Sequence, residues 1–452
     1  MTAKWRNWAR TETSRPVLEV APRTVEQVVL AVQRARETGH PVKPIGASHS
    51  FTAIGATDGV RLSMESLRGL VDVNLERGRV TLWAGTHLWE LPSILDPLGL
   101  ALENMGDIDH QTISGATSTG THGTGLGFGG LSTRIVGATL VTGTGEIIDV
   151  DEDHNADLLP AVALGLGALG VLLTVTIQCV PSFLLRAVEA SAPYEEVLEN
   201  FAELNRAADH FEFFWFPHTN STRTKTNTRL PIDSGAHPLG RVSRFIDEEI
   251  VNNAMLGAVV GFERFVPSAT PSINRAIETV SSSRDYSDVS HRVYVTNRRV
   301  RFRELEYALP FDAVPTALRE LRQLIERKNY RISFPVEVRA AAADELMLST
   351  AHGRESGYIA VHRYYRENPT EYFSEQAVQA QIARDKLKQQ ICARQGITLL
   401  TLRLEELTYR HMIQRLGSVL PLRKHSRNEQ SIAYLENRAQ RYIRFIQKLE
   451  RK

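Results

Sequence analysis

The chain has 452 residues, of which 42% are hydrophobic and 23% are charged, so its composition is that of an ordinary globular protein with room for two or three domains. The net charge of +1 is unevenly spread, because residues 374–452 contain 16 Lys and Arg against 7 Asp and Glu. Such asymmetry indicates two parts of the chain with different histories or partners.

Cysteine content and the N-terminus exclude further classes of protein. Cys179 and Cys392 are too few for a disulfide framework and too isolated for a zinc site, so reduced thiols are expected. The first ten residues are charged and no apolar stretch follows them, which predicts neither a secretory signal nor a membrane anchor. The expected location is the cytoplasm.

The first 180 residues alternate between helix and strand signals. Residues 24–38 have apolar side chains at helical spacing and end at Gly39, a residue typical of helix termini. A short strand is predicted at 42–45, and further strands are predicted at 78–83 and on both sides of a turn within 140–150. This part is therefore expected to be α+β or mixed α/β.

The segment from Ala161 to Val180 is nearly all apolar and long enough to resemble a transmembrane helix. Glycines at 165, 167 and 170 interrupt helical continuity, and a β-branched run follows the last of them. We therefore predict a glycine turn followed by a buried strand.

A second α+β region is predicted between Phe183 and Phe373. Residues 314–329 have the pattern of an amphipathic helix, and the sequences RISFPVEVRA and SGYIAVHRYY are typical of strands. On the second of these three elements Glu337 and Arg339 are two residues apart, so their side chains share one face. A carboxylate and a guanidinium placed together could bind a polyol or lactone, and the alternative is a solvated charge pair.

The densest glycine signal is Ser114 to Gly130, SGATSTGTHGTGLGFGG. Glycines alternating with small polar residues let backbone N–H groups approach a diphosphate, whereas the alternative is a flexible linker. GLGFGG at 125–130 and GLGALG at 165–170 formally match the dinucleotide motif G-x-G-x-x-G. Neither is accepted as such a motif, because Gly170 leads into a strand instead of a helix.

The turn-like run GASHSF, residues 46–51, places His49 between two serines just after a predicted strand. It is no nucleophile elbow, because that motif requires glycine where Ser50 stands. Considered alone, His49 is better explained as a loop histidine that forms hydrogen bonds with its neighbours. No paired-histidine spacing predicts a metal site.

Together these stretches resemble the vanillyl-alcohol-oxidase-type flavoproteins, in particular the bacterial gulonolactone, arabinonolactone and alditol oxidase or dehydrogenase branch. The matching stretches are WRNWA, PIGASHSFT, LENMGDIDHQTISGATSTGTHGTG, LGALGV and FPVEVRAAAADELMLSTAHGRESGYIAVH. The resemblance extends to about Phe373. It implies an FAD-binding (PCMH-type) domain with two subdomains at 1–181, an α+β substrate or cap domain at 182–373, and an atypical basic, mostly helical segment at 374–452.

The resemblance also implies the cofactor and its contacts. His49 would be joined covalently to the 8α-methyl group of FAD. The other implied cofactor-binding residues are Gly46, Ala47, Ser48, Ser50, Gly106, Asp107, Ser114, Gly115, Thr119, Gly120, His122 and Gly123. Gly106 matches a position where a small residue is thought to admit oxygen, but relatives with glycine there also act as dehydrogenases.

The implied reaction is hydride transfer from a carbinol C–H of a sugar 1,4-lactone or related alditol to flavin N5, with O2 or another acceptor reoxidising the flavin. Glu337 and Arg339 would order the substrate hydroxyls, and His362 would line the same pocket. The implied catalytic residues are therefore Glu337, Arg339 and His362.

The C-terminal segment departs from the resemblance. A His-Trp-Gly-Lys motif, whose lysine lies near the flavin in this family, is absent, and Lys386 and Lys388 are the nearby lysines. Residues 374–407 weakly resemble the closing elements of restriction-endonuclease-like folds, without recognisable catalytic acids. The last predicted helix has the heptad-like stripe Ile432, Leu435, Ala439, Tyr442, Ile446 and Leu449.

Three functional hypotheses follow. The first is an active FAD-dependent lactone oxidoreductase, and the second is a flavin-binding protein whose turnover is impaired by the altered C-terminus. The third is nucleic-acid binding by the basic segment, for which the sequence offers no clear motif. The stripe of the last helix could dock on the protein body, or it could contact a partner or a membrane surface peripherally.

Overall fold

The computed structural model describes residues 4–240, 253, 255–280 and 283–367. The predictions made for residues 374–452, including the long polar helix, the heptad-like stripe, Lys386 and Lys388, lie outside these residues.

A small parallel sheet forms around the first helix. Its strands β3 (Leu18–Val20), β4 (Val42–Ile45) and β5 (Val60–Ser63) are ordered β3-β5-β4, and helix α1 (Val25–Glu37) connects β3 to β4. The helix begins at Thr24, whose side chain accepts a hydrogen bond from the backbone N–H of Gln27. The helix predicted at 24–38 and the strand predicted at 42–45 are confirmed. A short hairpin of β1 (Trp5–Arg6) and β2 (Thr13–Ser14) precedes them.

The second sheet is antiparallel and has five strands in the order β10-β9-β11-β7-β6. Its strands are β6 (Leu70–Asn74), β7 (Arg79–Trp83), β9 (Ile135–Val141), β10 (Ile147–Val150) and β11 (Val171–Gln178). Short helices α2 (Leu91–Leu95), α3 (Ile113–Ser118) and α4 (Leu159–Ala163) connect them. A two-stranded sheet of β8 (Leu100–Ala101) and β12 (Val180–Pro181) lies outside this order.

The apolar segment from Ala161 to Val180 folds as predicted into a turn and a strand. Gly170 has φ +157°, and a Cβ there would overlap the Val141 carbonyl oxygen of the neighbouring strand. β11 starts at the next residue and lies in the centre of the five-stranded sheet. Within the described ranges, no helix has the length and apolar composition needed to cross a membrane.

The third sheet has seven antiparallel strands in the order β16-β13-β15-β14-β18-β19-β17. Its strands are β13 (Phe183–Pro193), β14 (His210–Trp215), β15 (Ser221–Pro231), β16 (Arg284–Val289), β17 (Phe302–Pro310), β18 (Val336–Ala341) and β19 (Ser356–Tyr364). The associated helices are α5 (Tyr194–Glu199), α6 (Phe201–Ala207), α7 (Leu256–Glu263), α8 (Thr270–Val280), α9 (Ser290–Tyr294) and α10 (Val314–Lys328).

Helix α10 matches its prediction, but the strand predicted from Arg331 begins only at Val336. Pro335 precedes it and has no N–H to give to a neighbouring strand, so the ladder starts after the proline.

The two faces of the seven-stranded sheet differ in chemistry. Phe213, Trp215 and Val336 point to one face and form a buried core with α5, α6 and α10. The alternating residues Glu212 and Glu337 therefore point to the opposite face. The predicted shared face of Glu337 and Arg339 is confirmed, and Val336 and Val338 between and beside them lie in the apolar core on the other face.

Gly357 sets how closely α10 packs on β19, because a Cβ there would overlap Val314 Cγ2. Val314 is fully buried, and a β-branched residue on a helix has one preferred rotamer. We expect Gly357→Ala to destabilise the protein by about 1 to 3 kcal/mol in urea unfolding. Gly261 on α7 has open space at its Cβ, so Gly261→Ala is the matched control and is expected to leave stability unchanged or to raise it. Equal effects of the two variants would contradict the packing argument.

Candidate active site

The loop after β4 and the helix α3 line one cavity together. The loop contributes Gly46, Ala47, Ser48, His49 and Ser50, and the region of α3 contributes Ser114, Gly115 and Thr119. Ser48 adopts the left-handed conformation with φ 61°. The backbone N–H groups of residues 47–50 donate to no acceptor among the described residues. Consecutive free N–H groups at a left-handed turn form a concave surface that attracts anions.

The loop and the helix are in close contact at Gly46, where a Cβ would overlap Thr112 Oγ1. The same hydroxyl accepts a hydrogen bond from the backbone N–H of Gly115 at 3.2 Å, which caps α3. Because Gly46 on the loop and Gly115 on the helix have no side chains, the backbone that lines the cavity remains accessible to a ligand. This arrangement fits the diphosphate of a dinucleotide cofactor, so the residues present suit the group that the sequence implies.

His49 lies against aromatic rings at this cavity. Its ring stacks on Trp8 with centroids 5.2 Å apart, and the ring of His110 lies 6.3 Å away. Burial, followed by the positive charges that His110 and His87 would carry, lowers the pKa of His49 to about 4. The imidazole is therefore neutral at physiological pH and retains a lone pair on one nitrogen.

The remaining residues of the glycine-rich run lie elsewhere. His122 and Gly120 line a neighbouring cavity, which shares Thr119 with the first one. The His122 ring packs on Tyr358 with centroids 3.8 Å apart, and its Nε2 lies 3.3 Å from Glu306 Oε2. Gly123 is closely packed, since a Cβ would overlap the Met105 carbonyl oxygen. The glycine-rich run therefore lines the first cavity with Ser114, Gly115 and Thr119, and its later residues pack outside that cavity.

Arg339 is the centre of a cluster of charged side chains on the polar face of the sheet. Its Nη2 contacts Glu337 and lies 3.3 Å from Asp107 Oδ1, and its Nε lies 3.3 Å from Glu212 Oε2. These three carboxylates come from β18, from the NMGDID loop and from β14. Although burial opposes ionisation, they raise the pKa of Arg339 well above its usual value. Among the described residues, Nε of Arg339 is buried without a hydrogen-bond partner.

Asp107 links the sheet to the loop that carries Gly106. A second cation, Arg298, lies 2.5 Å from Asp107 Oδ2, and the backbone N–H of Thr296 donates to the Asp107 carbonyl at 3.0 Å. Burial would favour the neutral acid, but Arg298 and Arg339 hold the pKa of Asp107 well below its usual range. Asp107 is therefore ionised and joins the cluster, and it does not line the first cavity.

His362 is buried beside two carboxyl groups. Its Nδ1 lies 3.2 Å from the Pro335 carbonyl oxygen, and its Nε2 lies 3.8 Å from Glu304 and 3.9 Å from Glu337. Burial, followed by the charge of Arg298, lowers the pKa of His362 to about 4. Burial also raises the pKa of Glu337 to about 7, even though Arg339 favours its ionised form. The cluster therefore contains a carboxyl group that can exchange a proton near neutral pH.

The structure thus brings Glu337, Arg339 and His362 together with Asp107, while the cavity residues form a separate group. Three further members, Glu212, Arg298 and Glu304, were missed by the sequence analysis. The alternation in HFEFFW could have placed Glu212 on the polar face of its strand, but no local pattern identifies the strand next to it. Among the described residues, no group of three His, Cys, Asp or Glu side chains could hold a metal ion.

Comparisons with known proteins identify the family of the chain. The pattern of the FAD binding domain family matches residues 16–151, and that of the D-arabinono-1,4-lactone oxidase family matches residues 175–380. L-gulono-1,4-lactone dehydrogenase of Mycobacterium tuberculosis is 38% identical over 373 residues, covering 82% of this chain and 86% of the relative. L-gulonolactone oxidase of Bos taurus is 32% identical over 366 residues, covering 80% and 82%.

A solved structure, cholesterol oxidase from B. sterolicum, has a TM-score of 0.66 at 17% sequence identity and covers 82% of this chain and 81% of that one. At this identity, the likeness concerns the fold alone.

Removing the central cation should leave three carboxylates without their shared partner. We expect Arg339→Met to destabilise the protein by about 3 to 5 kcal/mol at pH 7 in urea unfolding, because unpaired buried charges are costly. The loss should be smaller at pH 5, because burial raises the pKa of Glu337 to about 7 and this carboxyl is then neutral. The control is Arg186→Met, which breaks the half-exposed pair with Asp285 and should shift the urea midpoint little. A stability loss no larger than that of the control would show that the cluster is solvated.

Proposed function

The chain belongs to the family of FAD-dependent L-gulono-1,4-lactone and D-arabinono-1,4-lactone oxidoreductases, and on this basis we propose that it oxidises a CH–OH group of such a lactone, or of a related alditol. It is an FAD-dependent enzyme of the α+β fold that the sequence predicted. The observation that carries the proposal is the buried pair of Glu337 and Arg339 on the polar face of the sheet.

The pair suits a substrate with several hydroxyl groups. An ionised carboxylate accepts hydrogen bonds from hydroxyls, and a guanidinium donates in a planar fork. Arg339 Nη2 contacts Glu337 and Asp107, whereas the buried Nε, although 3.3 Å from Glu212, has no hydrogen-bond partner among the described residues and can donate to a substrate oxygen. Because three carboxylates hold the guanidinium, its orientation is fixed before the substrate arrives.

We assign the chemical roles as follows. FAD, when bound, supplies the acceptor for the hydride that leaves the carbinol carbon. Glu337 accepts the hydroxyl proton, since its pKa near 7 matches the task of a general base at physiological pH. Arg339 stabilises the negative charge that develops on the substrate oxygen. His362 lies 3.9 Å from Glu337 and is itself buried, so its side chain limits the access of water to this carboxyl group.

For the cofactor, we propose that His49 forms the covalent bond to the flavin. Its lowered pKa supports this role, because only the neutral imidazole has the lone pair that a new bond requires. The free N–H groups of residues 47–50 support a contact with the diphosphate, together with Ser114, Gly115 and Thr119. We further propose that residues 1–181 form the cofactor domain and residues 182–373 the substrate domain.

The acceptor that reoxidises the flavin is proposed to be O2 or another electron acceptor. The backbone at Gly106, next to Asp107, packs closely on the backbone of His122, since a Cβ at Gly106 would lie 3.1 Å from the His122 carbonyl oxygen.

The cytoplasm is the proposed location of the protein, and peripheral contact with a membrane is the alternative.

The first test is anaerobic mixing of the purified protein with L-gulono-1,4-lactone while the flavin absorbance is recorded. We expect the yellow colour to bleach, and Glu337→Gln to slow bleaching by about 100-fold or more, because an amide cannot accept the proton. A stable yellow colour across related lactones and alditols would contradict the proposal and favour a flavin-binding protein without turnover.

The second test concerns the covalent bond. After denaturation and filtration, the flavin is expected to remain with the wild-type protein and to pass through the filter from His49→Ala, because only His49 forms the bond. His110→Ala removes the neighbouring ring and is the matched control, which should retain its flavin on the protein. Release of flavin from the denatured wild-type protein would rule out covalent attachment.

A further inference from the structure

The tautomer of His362 is fixed by its surroundings. Nδ1 lies 3.2 Å from the Pro335 carbonyl oxygen, which can only accept a hydrogen bond, so Nδ1 carries the hydrogen. The ring is neutral at physiological pH because burial and the charge of Arg298 lower its pKa to about 4. Nε2 therefore has a lone pair and no hydrogen in the resting protein.

That lone pair faces two carboxyl groups. Nε2 lies 3.8 Å from Glu304 Oε2 and 3.9 Å from Glu337 Oε2, so a shift of less than about 1 Å would bring either oxygen within hydrogen-bond distance. A lone pair and an ionised carboxylate repel each other, whereas a protonated carboxyl group can donate to Nε2. A proton held among these three groups therefore stabilises the arrangement.

The two carboxyl groups differ in their access to water. The Glu337 side chain is 5% exposed, and that of Glu304 is 22% exposed. Glu304 lies on β17, an edge strand of the sheet, directly opposite His362 on β19. A proton on Glu304 can therefore reach the solvent, whereas a proton on Glu337 must first pass another group.

The charges that face Glu304 come from each neighbouring element. Glu306 lies on the same strand, His362 on β19, Glu337 and Arg339 on β18, and Asp107 on the loop before α3. Partial burial, followed by the negative charges of Glu306 and Glu337, raises the pKa of Glu304 to about 8, although Arg339 opposes this. Glu306 itself is directed to His122.

We propose that Glu304 is a positioning residue through which the substrate's hydroxyl proton leaves the site, with His362 Nε2 as the connection to Glu337. This inference rests on the proposed function. The substrate O–H bond breaks as the proton binds Glu337, and the Glu337 O–H bond then breaks as an Nε2–H bond forms. The Nε2–H bond finally breaks as ionised Glu304 takes the proton, which it releases to water. One proton leaves for each hydride transferred.

The order of these proton transfers predicts how the rate of flavin bleaching depends on pH. Glu304 must be ionised to accept the proton, so the rate of anaerobic flavin bleaching by L-gulono-1,4-lactone should rise with pH through about 8. In Glu304→Gln the amide can still donate a hydrogen bond to Nε2, which preserves the fold, but it cannot take up the proton. We expect this variant to lose the rise and to bleach at least about 10-fold more slowly at pH 9, with partial recovery in Glu304→Asp.

Glu263 on α7 provides the matched control. It is 2% exposed, burial raises its pKa to about 7, and the groups that affect its pKa are Thr270 and Glu367, which are not part of the cluster. Glu263→Gln therefore removes a second carboxyl with a raised pKa and should keep the wild-type pH profile.

A second readout needs no substrate. Infrared spectra of the resting protein should contain a carboxylic-acid C=O band that disappears as the pH rises through about 8. The band should be lost in Glu304→Gln and retained in Glu263→Gln. A wild-type pH profile in Glu304→Gln, or retention of the band in that variant, would overturn the inference. Failure of the wild-type protein to bleach would instead contradict the proposed function, and the infrared result would still test Glu304.

Discussion

The contact of one guanidinium with three carboxylates is the interaction on which the rest of the site depends. Arg339 contacts Glu337 on its own strand, Glu212 on the neighbouring strand and Asp107 on a loop more than 200 residues away in sequence. Moving these charges out of water is costly, and the cost is offset only while all partners stay in place. The cluster therefore couples the polar face of the sheet to the loop that carries Gly106, and it fixes the orientation of its own charged groups.

The alternating pattern of the strands makes such a cluster possible. One face of the seven-stranded sheet is an apolar core of Phe213, Trp215 and Val336, which holds the strands in register. With the register fixed by that core, the residues between these positions face the other side together. Lys225 extends the charged surface, since its Nζ lies 3.6 Å from Glu212 and donates to the Val293 carbonyl at 3.0 Å. Stability thus comes from one face of the sheet, and the proposed chemistry from the other.

The cavity proposed for the cofactor depends on a different feature, the close approach of two backbone segments. Gly46 and Gly115 both adjoin the Thr112 hydroxyl, so a larger residue at Gly46 would displace the loop from the helix. The N–H groups of residues 47–50, which line the cavity, donate to no acceptor within the part of the chain that the structure describes, which suits a diphosphate. Charged side chains dominate the proposed substrate site, whereas backbone dipoles and small residues dominate the cofactor site.

The sequence by itself determined the α+β class, the first helix, the strand after Gly170 and the shared face of Glu337 and Arg339, because local periodicity and glycine chemistry decide these features. The separation of His122 from the first cavity, and the roles of Glu212, Arg298 and Glu304 as neighbours of the site, were decided by the tertiary structure alone. These groups meet through strand order and loop packing between segments distant in sequence. Spacing along the chain carries no information about such contacts, and the burial that shifts their pKa values exists only once the sheets and loops have packed.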